Sequence, residues 1–292
     1  MIREQLQERL FQRVHQCVSN KRKSDDTCKK IEMRKESMFK RNAEIVKVKA
    51  VGKIKNIVAE EEIEKVYYEA HFRYLIKHKE MMYIEEEVEE RVADFYKDVL
   101  IEDYELPLQE DLQIHSVHLS ESTKSEDRGN FVYDRLRAVK YAELWWNDFN
   151  PAYVKFDVDC TNFISQCLHA GDAPMRGYPN RGSGWWMMQK SWSYSWTVAN
   201  ALRWYLPGAK LGLRGKEVSS PEKLSLGDII CYDFQGDGRF DHTTIVTAKD
   251  GDGMPLVNAH TFNCRMRYWA YEDSTAYTPN IKYKFFHILD DQ

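Results

Sequence analysis

The 292-residue chain contains no apolar run approaching the roughly 20 residues that a helix needs to cross a bilayer. With 30% charged residues and a mean hydropathy of -0.63, a helical membrane protein is excluded. Cysteine is scarce. Six residues (Cys17, Cys28, Cys160, Cys167, Cys231 and Cys264) are too few for a disulfide scaffold in a chain of this length, and the absence of any CxxC pair removes a zinc knuckle. An excess of positive charge is also missing: residues 1–130 carry 24 basic and 28 acidic groups, and residues 131–292 carry 18 of each. Neither half offers the clustered basic face that binds a phosphate backbone, so nucleic acid is not an expected partner. The first ten residues mix acids and bases with no apolar core of the secretory kind, and the expectation is a cytoplasmic location. Tryptophan is absent from the first 130 residues; all eight fall between Trp145 and Trp269, and 28 of the 38 aromatic residues lie in the second part. This asymmetry predicts two different domains, residues 1–125 and 131–292.

In the first part, Ile2, Leu6, Leu10, Phe11, Val14 and Val18 recur at helical spacing. Residues 21–30 hold five bases and two acids without apolar periodicity, which predicts a solvated loop. From Ala43 to about Val92, β-branched and aromatic residues alternate with charge, as long antiparallel strands with one wet face would require. The last of these stretches, from Met81, carries the acidic run Glu85–Glu90 and alternates less cleanly, leaving strand and helix both open. Residues 101–130 lose the pattern and end in Ser, Glu, Asp and Gly, the composition of a linker. The expected boundary lies near 120–130.

In the second part, residues 131–146 place Leu136, Val139, Tyr141, Ala142, Trp145 and Trp146 at helical intervals before Asn150-Pro151. Residues 156–171 (FDVDCTNFISQCLHAG) read as loop, helix and stop, with Asp157 or Asp159 as the N-cap and Gly171 as a left-handed terminator. Cys160 then falls in the first turn, where unpaired amides and the helix dipole favour a thiolate, the form in which cysteine is a nucleophile. Cys167, seven residues on, reads as packing. Residues 224–234 form a turn feeding a strand, and 240–261 read as a hairpin with His242 opening its first strand. Alternation puts Asn258 and His260 on one face of its second strand. His169 and His287 read as structural. Asp233, Asp237 and Asp241 depart from EF-hand spacing and no HExxH is present, so no metal or cofactor is expected. The run from Trp185 to Trp196 reads largely as core, with Trp185, Trp186 and Trp192 as candidate walls of a groove beside Cys160.

The segment DCTNFISQCL, preceded by YDRLRAVKYA and NPAY and followed by SWSYSW, resembles the amidase-domain family of spore-forming Gram-positive bacteria. That family is related to the papain-like CHAP and NlpC-type cell-wall amidohydrolases. The resemblance covers about residues 131–290; residues 1–130 match no such pattern. It implies an α+β papain-like domain with the nucleophile helix packed on an antiparallel sheet; the alternation read in residues 1–125 makes the N-terminal part an α+β module with long antiparallel strands. It further implies Cys160 as nucleophile, His242 as base and His260, rather than Asn258, as the residue orienting it. Asp159, Trp185, Trp186 and Trp192 are the expected substrate-binding residues, and the implied substrate is a peptidoglycan amide or a muropeptide fragment. Other classes are a cysteine acyltransferase or peptidase on intracellular peptides, and a non-catalytic wall-binding module. Without a secretory signal, a wall substrate implies action in a spore-associated compartment, after lysis, or on recycled fragments.

Overall fold

The computed structural model describes residues 1–19, 28–106 and 131–291. The fold is mixed α/β, with extensive antiparallel sheet and several helices, and it divides into two units. The division is not a single cut: Met1–Leu108 group with Phe262–Thr275, and Gln109–Thr261 with Ala276–Gln292. The sequence boundary expected near 120–130 lies outside the described residues. Among those residues no helix is long and apolar enough to cross a membrane.

The first unit opens with α1 (Ile2–Val18) and α2 (Lys29–Lys40), followed by β1 (Ala43–Glu60), β2 (Ile63–His78), β3 (Met81–Tyr96) and β4 (Val99–Glu105). β2 pairs with β1 and β3 along its length, from Ala43↔His78 to Glu60↔Ile63 and from Ile63↔Tyr96 to His78↔Met81. The strand Cys264–Tyr268, β11 in chain order, pairs with β3 through Cys264↔Glu87 and Arg265↔Glu86. Alternation holds best on β2, where Val66, Tyr68, Ala70, Phe72, Tyr74 and Ile76 are buried. β3 settles as a strand because Glu85, Glu87 and Glu89 are buried against cations: Arg34 contacts Glu85, Glu87 and Asp273, and Lys30 contacts Glu87, Glu89 and Glu105. Arg13 grips Glu89 through two hydrogen bonds of 2.7 and 3.1 Å. Lys29 and Lys30, expected in a solvated loop, instead begin α2, with Lys30 buried; residues 21–27 of that stretch lie outside the described residues. Ile101–Glu105, expected to belong to the linker, complete β4 instead.

The second unit contains α3 (Arg135–Trp145), α4 (Cys160–Ala170), the short pair β5 (Met187–Met188) and β6 (Ser191–Trp192), then α5 (Tyr194–Thr197) and α6 (Ala199–Gly208). Strands β7 (Arg214–Val218), β8 (Ile229–Asp233), β9 (His242–Lys249), β10 (Pro255–Ala259) and β12 (Lys282–Leu289) form an antiparallel sheet in the order β10-β9-β8-β12-β7. Asp134 caps α3 by accepting from the Arg137 amide at 2.9 Å. The buried face of α3 is Ala138 and Ala142, whereas Leu136 is exposed, contrary to the expected stripe. Small residues there let α3 approach α4. The core is apolar and aromatic: Phe163, Ile164, Cys167 and Leu168 from α4 meet Trp185, Trp196, Ile229, Cys231, Ile245 and Phe286. Gly171 ends α4 with φ -81, not left-handed. Glycine is needed there for space, since a Cβ would lie 2.4 Å from Cε2 of Tyr133.

Candidate active site

Cys160 is the first residue of α4, which packs against β9, and it is 3% exposed. Its Sγ lies 3.9 Å from the Asp241 carbonyl oxygen and 3.7 Å from Thr161 Oγ1. Thr161 Oγ1 in turn meets Thr243 Oγ1 at 3.1 Å. The Cys160–Thr161 turn therefore touches the residue on each side of His242, the residue that opens β9. The His242 ring, itself buried, has Tyr232 at 5.6 Å and Phe234 at 6.1 Å between ring centroids.

His260 follows β10 and takes a different position from the one expected of it. Its Nδ1 is 2.8 Å from Asp159 Oδ2, and its Nε2 is 2.8 Å from the Trp145 carbonyl oxygen. The ring is stacked on Phe163 at 3.9 Å and edged by Phe149 at 5.1 Å. With both nitrogens engaged, His260 does not orient His242 by a hydrogen bond; it holds Asp159. Asn258 also reaches α3, donating to the Ala142 carbonyl and to Glu143 Oε1, while its Oδ1 accepts from Thr247 Oγ1.

Asp159 occupies the N-cap position of α4 without making the side-chain cap expected of it. Its Oδ1 accepts from the Phe156 amide at 3.1 Å and Asn162 Nδ2 at 2.9 Å, and Oδ2 faces His260. The carboxylate is thus buried and fully engaged, which corrects its expected role in touching substrate. The cap comes from Thr261, remote in sequence: its Oγ1 accepts from the amides of Asp159 at 3.0 Å and Cys160 at 3.1 Å.

The tryptophans separate. Trp185 and Trp186 are fully buried, the first donating to Ser165 Oγ at 2.9 Å and the second to the Asn180 and Ser183 carbonyls. They are core, not groove walls, because their N–H groups find partners inside. Trp192 is half-buried, with its ring against Phe156 at 4.8 Å and the Arg181 guanidinium over it at 5.2 Å. Phe156 lies four residues before Cys160, so Trp192 alone of the three retains a place near the loop that carries the cysteine.

Other titratable groups have structural duties. His169 Nδ1 meets the Ala173 carbonyl at 3.0 Å, and His287 Nδ1 meets Asp228 Oδ2 at 2.8 Å. Burial pushes the Cys167 thiol well above its ordinary value and raises the Cys231 thiol also. Asp233 accepts from the amides of Gly236, Asp237 and Gly238, which is turn chemistry. Partial desolvation, reinforced by Asp233 and Asp237, raises the exposed Asp241 to about 6 although the Phe234 amide works against the shift. Among the described residues no cluster of three or more His, Cys, Asp or Glu side chains could hold a metal ion.

Residues 132–286, more than half of the chain, match the family model described as "Putative amidase domain". The chain belongs to this amidase family. Cys160, Asp159, His242, His260 and Thr261 all lie inside the matched segment. The chain is 53% identical over 270 residues to "Uncharacterized protein YhbB" of Bacillus subtilis (strain 168), covering 90% of this chain and 87% of that protein. It is 34% identical over 140 residues to "Uncharacterized protein YjcM" of the same strain, covering 45% of this chain and 31% of that one. No solved structure matches. The family description points to hydrolysis of an amide bond.

Proposed function

We propose that this protein is a cysteine-dependent amidohydrolase in which Cys160 is the nucleophile and His242 the base, acting on an amide of peptidoglycan or its peptide fragments. The observation that carries this reading is the contact of the Cys160–Thr161 turn with both neighbours of His242, through Asp241 O and Thr243 Oγ1. It brings the cysteine that opens α4 up to the residues flanking the histidine that opens β9. In this reading the thiolate, favoured by the α4 dipole, attacks the amide carbonyl. His242 accepts the thiol proton, delivers it to the leaving amine and then activates water for deacylation. Asp159 and His260 set the start of α4 from behind, and Trp192 with Phe156 forms an apolar wall for the substrate. The wall substrate rests on the resemblance to cell-wall amidohydrolases, and the unit built on the long β1–β3 hairpins is read as a non-catalytic module.

Alkylation of Cys160 by iodoacetamide across pH tests the pair. In the wild type the apparent thiol pKa should lie well below about 8.5, and in His242→Ala it should return there. An ordinary value in both proteins rejects the pair. Cys160→Ala should abolish cleavage of muropeptides, read by mass spectrometry of the released fragments; retention of cleavage rejects the nucleophile.

A further inference from the structure

Two backbone N–H groups at the start of α4, those of Asp159 and Cys160, converge on one oxygen, and that oxygen is Thr261 Oγ1. Amides aimed at a single point beside a nucleophile are what stabilises the oxygen of a tetrahedral intermediate. Here the protein's own hydroxyl fills the point. Thr261 is also in the left-handed region, with φ 76, a strained conformation for a β-branched residue. It is the residue at which the chain leaves the second unit for Phe262–Thr275.

We propose that the Thr261 hydroxyl is an internal stand-in for the substrate carbonyl oxygen: it occupies the seat of the oxyanion and must leave before Cys160 can be acylated. The proposal deepens the hydrolase reading and rests on Cys160 being its nucleophile. It makes the turn at Thr261 an autoinhibitory element, since each acylation has to displace two hydrogen bonds that the resting protein already makes. A hydroxyl that served only as a cap would hold α4 without opposing the chemistry.

Two reagents that use the same thiolate separate these roles. With 4-nitrophenyl acetate, Sγ bonds to the acetyl carbon and the carbonyl π pair moves to oxygen. Return of that pair expels 4-nitrophenolate and leaves a thioester, the thiol proton having gone to His242. Iodoacetamide alkylates Sγ by displacing iodide and builds no oxyanion. The ratio of the two rate constants at Cys160 therefore cancels the thiolate fraction and reads the oxyanion seat. In the full chain, Thr261→Val should raise this ratio about tenfold, the scale of one net hydrogen bond, and Thr261→Ser should leave it near the wild-type value. Thr261→Ala, expected to behave like the valine variant, serves if that one does not fold. A ratio unchanged in both hydroxyl-free variants, with lowered thermal stability, makes Thr261 a cap only; a lowered ratio makes the hydroxyl part of the acylating machinery. Either result overturns the proposal. A Cys160 inert to both reagents in every variant overturns the nucleophile itself, and the proposal with it.

Discussion

The two units solve the problem of filling an interior in opposite ways. In the first, the space against β3 is filled by Arg13, Lys30, Arg34, Arg91 and Arg267 facing Glu85, Glu87, Glu89, Asp103 and Asp273. The guanidinium groups also lie over rings, Arg13 on Phe72 at 4.8 Å, Arg34 on Tyr74 at 4.1 Å and Arg267 on Tyr271 at 4.3 Å. In the second, the interior is mainly tryptophan, phenylalanine and aliphatic side chains, with fewer polar contacts, such as Trp196 Nε1 to Asn162 Oδ1 at 2.9 Å and His260 Nδ1 to Asp159 Oδ2 at 2.8 Å. An apolar core tolerates changes of pH; a core of paired charges is only as stable as its protonation states allow. The candidate nucleophile stands in the unit whose interior is largely apolar, although Asp159 beside His260 and Asp228 beside Arg135 and His287 are buried carboxylate pairings of its own.

Removing one member of the ionic interior should have the largest effect. Arg34→Ala leaves Glu85, Glu87 and Asp273 without their shared cation and should cost about 3–5 kcal/mol of stability at neutral pH, measured by urea unfolding. Trp196→Ala in the second unit should cost a similar 3–5 kcal/mol, roughly, by leaving a cavity beside Trp185. The comparison is broken if the two costs respond alike to pH. The Arg34→Ala penalty should shrink as acid neutralises the carboxylates, and the Trp196→Ala penalty should stay constant.

Acid itself is the next lever. Although burial acts to raise them, Arg34 and Lys30 hold Glu87 below its ordinary value, Lys30 and Arg13 hold Glu89 well below, and Arg267 and Arg34 do the same for Asp273. Folded values beneath the unfolded ones mean a stability contribution present above about pH 4 and lost as pH falls through the lowered values. Burial raises Glu85 and Glu105, which contribute with the opposite sign and offset part of the loss. Between pH 5 and 2 the first unit should therefore unfold before the second, followed by tryptophan fluorescence for the second, which holds seven of the eight tryptophans, and by hydrogen exchange of β2 amides for the first.

The same contrast explains what could be read from the sequence. The alternation of β2 and the helix, strand and hairpin around Cys160 and His242 follow from apolar periodicity and turn residues, and the folded chain has these elements in those places. α2 escaped because its buried positions include Lys30, Arg34 and Ser37, so no apolar stripe announces it. β3 stayed ambiguous for the same reason, its inward residues being glutamates. The turn between β3 and β4 uses Lys97 and Asp98, both with positive φ, in place of the glycine or asparagine that signals a hairpin. Around the site, the bonds of Thr261 and His260 to residues 101 or 102 positions earlier depend on the packing of α4 against the sheet and leave no local pattern. Trp185 and Trp192 looked alike in sequence, and only the internal partner at Ser165 separates them. Trp192→Ala should thus lower turnover of muropeptides several-fold with a small change in melting temperature. Trp185→Ala should cost about 3–5 kcal/mol of stability, measured by thermal unfolding.

The smallest expected effect belongs to an exposed carboxylate of the second unit, Asp241. It is raised to about 6 by partial desolvation and by the neighbouring Asp233 and Asp237, with the Phe234 amide and Arg239 opposing the shift. A folded value above the unfolded one, near 3.9, means that its contribution is fully present below about pH 4 and lost as pH rises through 6. Asp241→Asn removes this titration while leaving the backbone carbonyl that faces Cys160 Sγ. The variant should therefore gain melting temperature relative to the wild type at pH 7 and lose that advantage at pH 4. A difference that does not vary over this range would show that Asp241 makes no pH-dependent contribution to stability, and the pH response would then fall mainly on the ionic interior of the first unit.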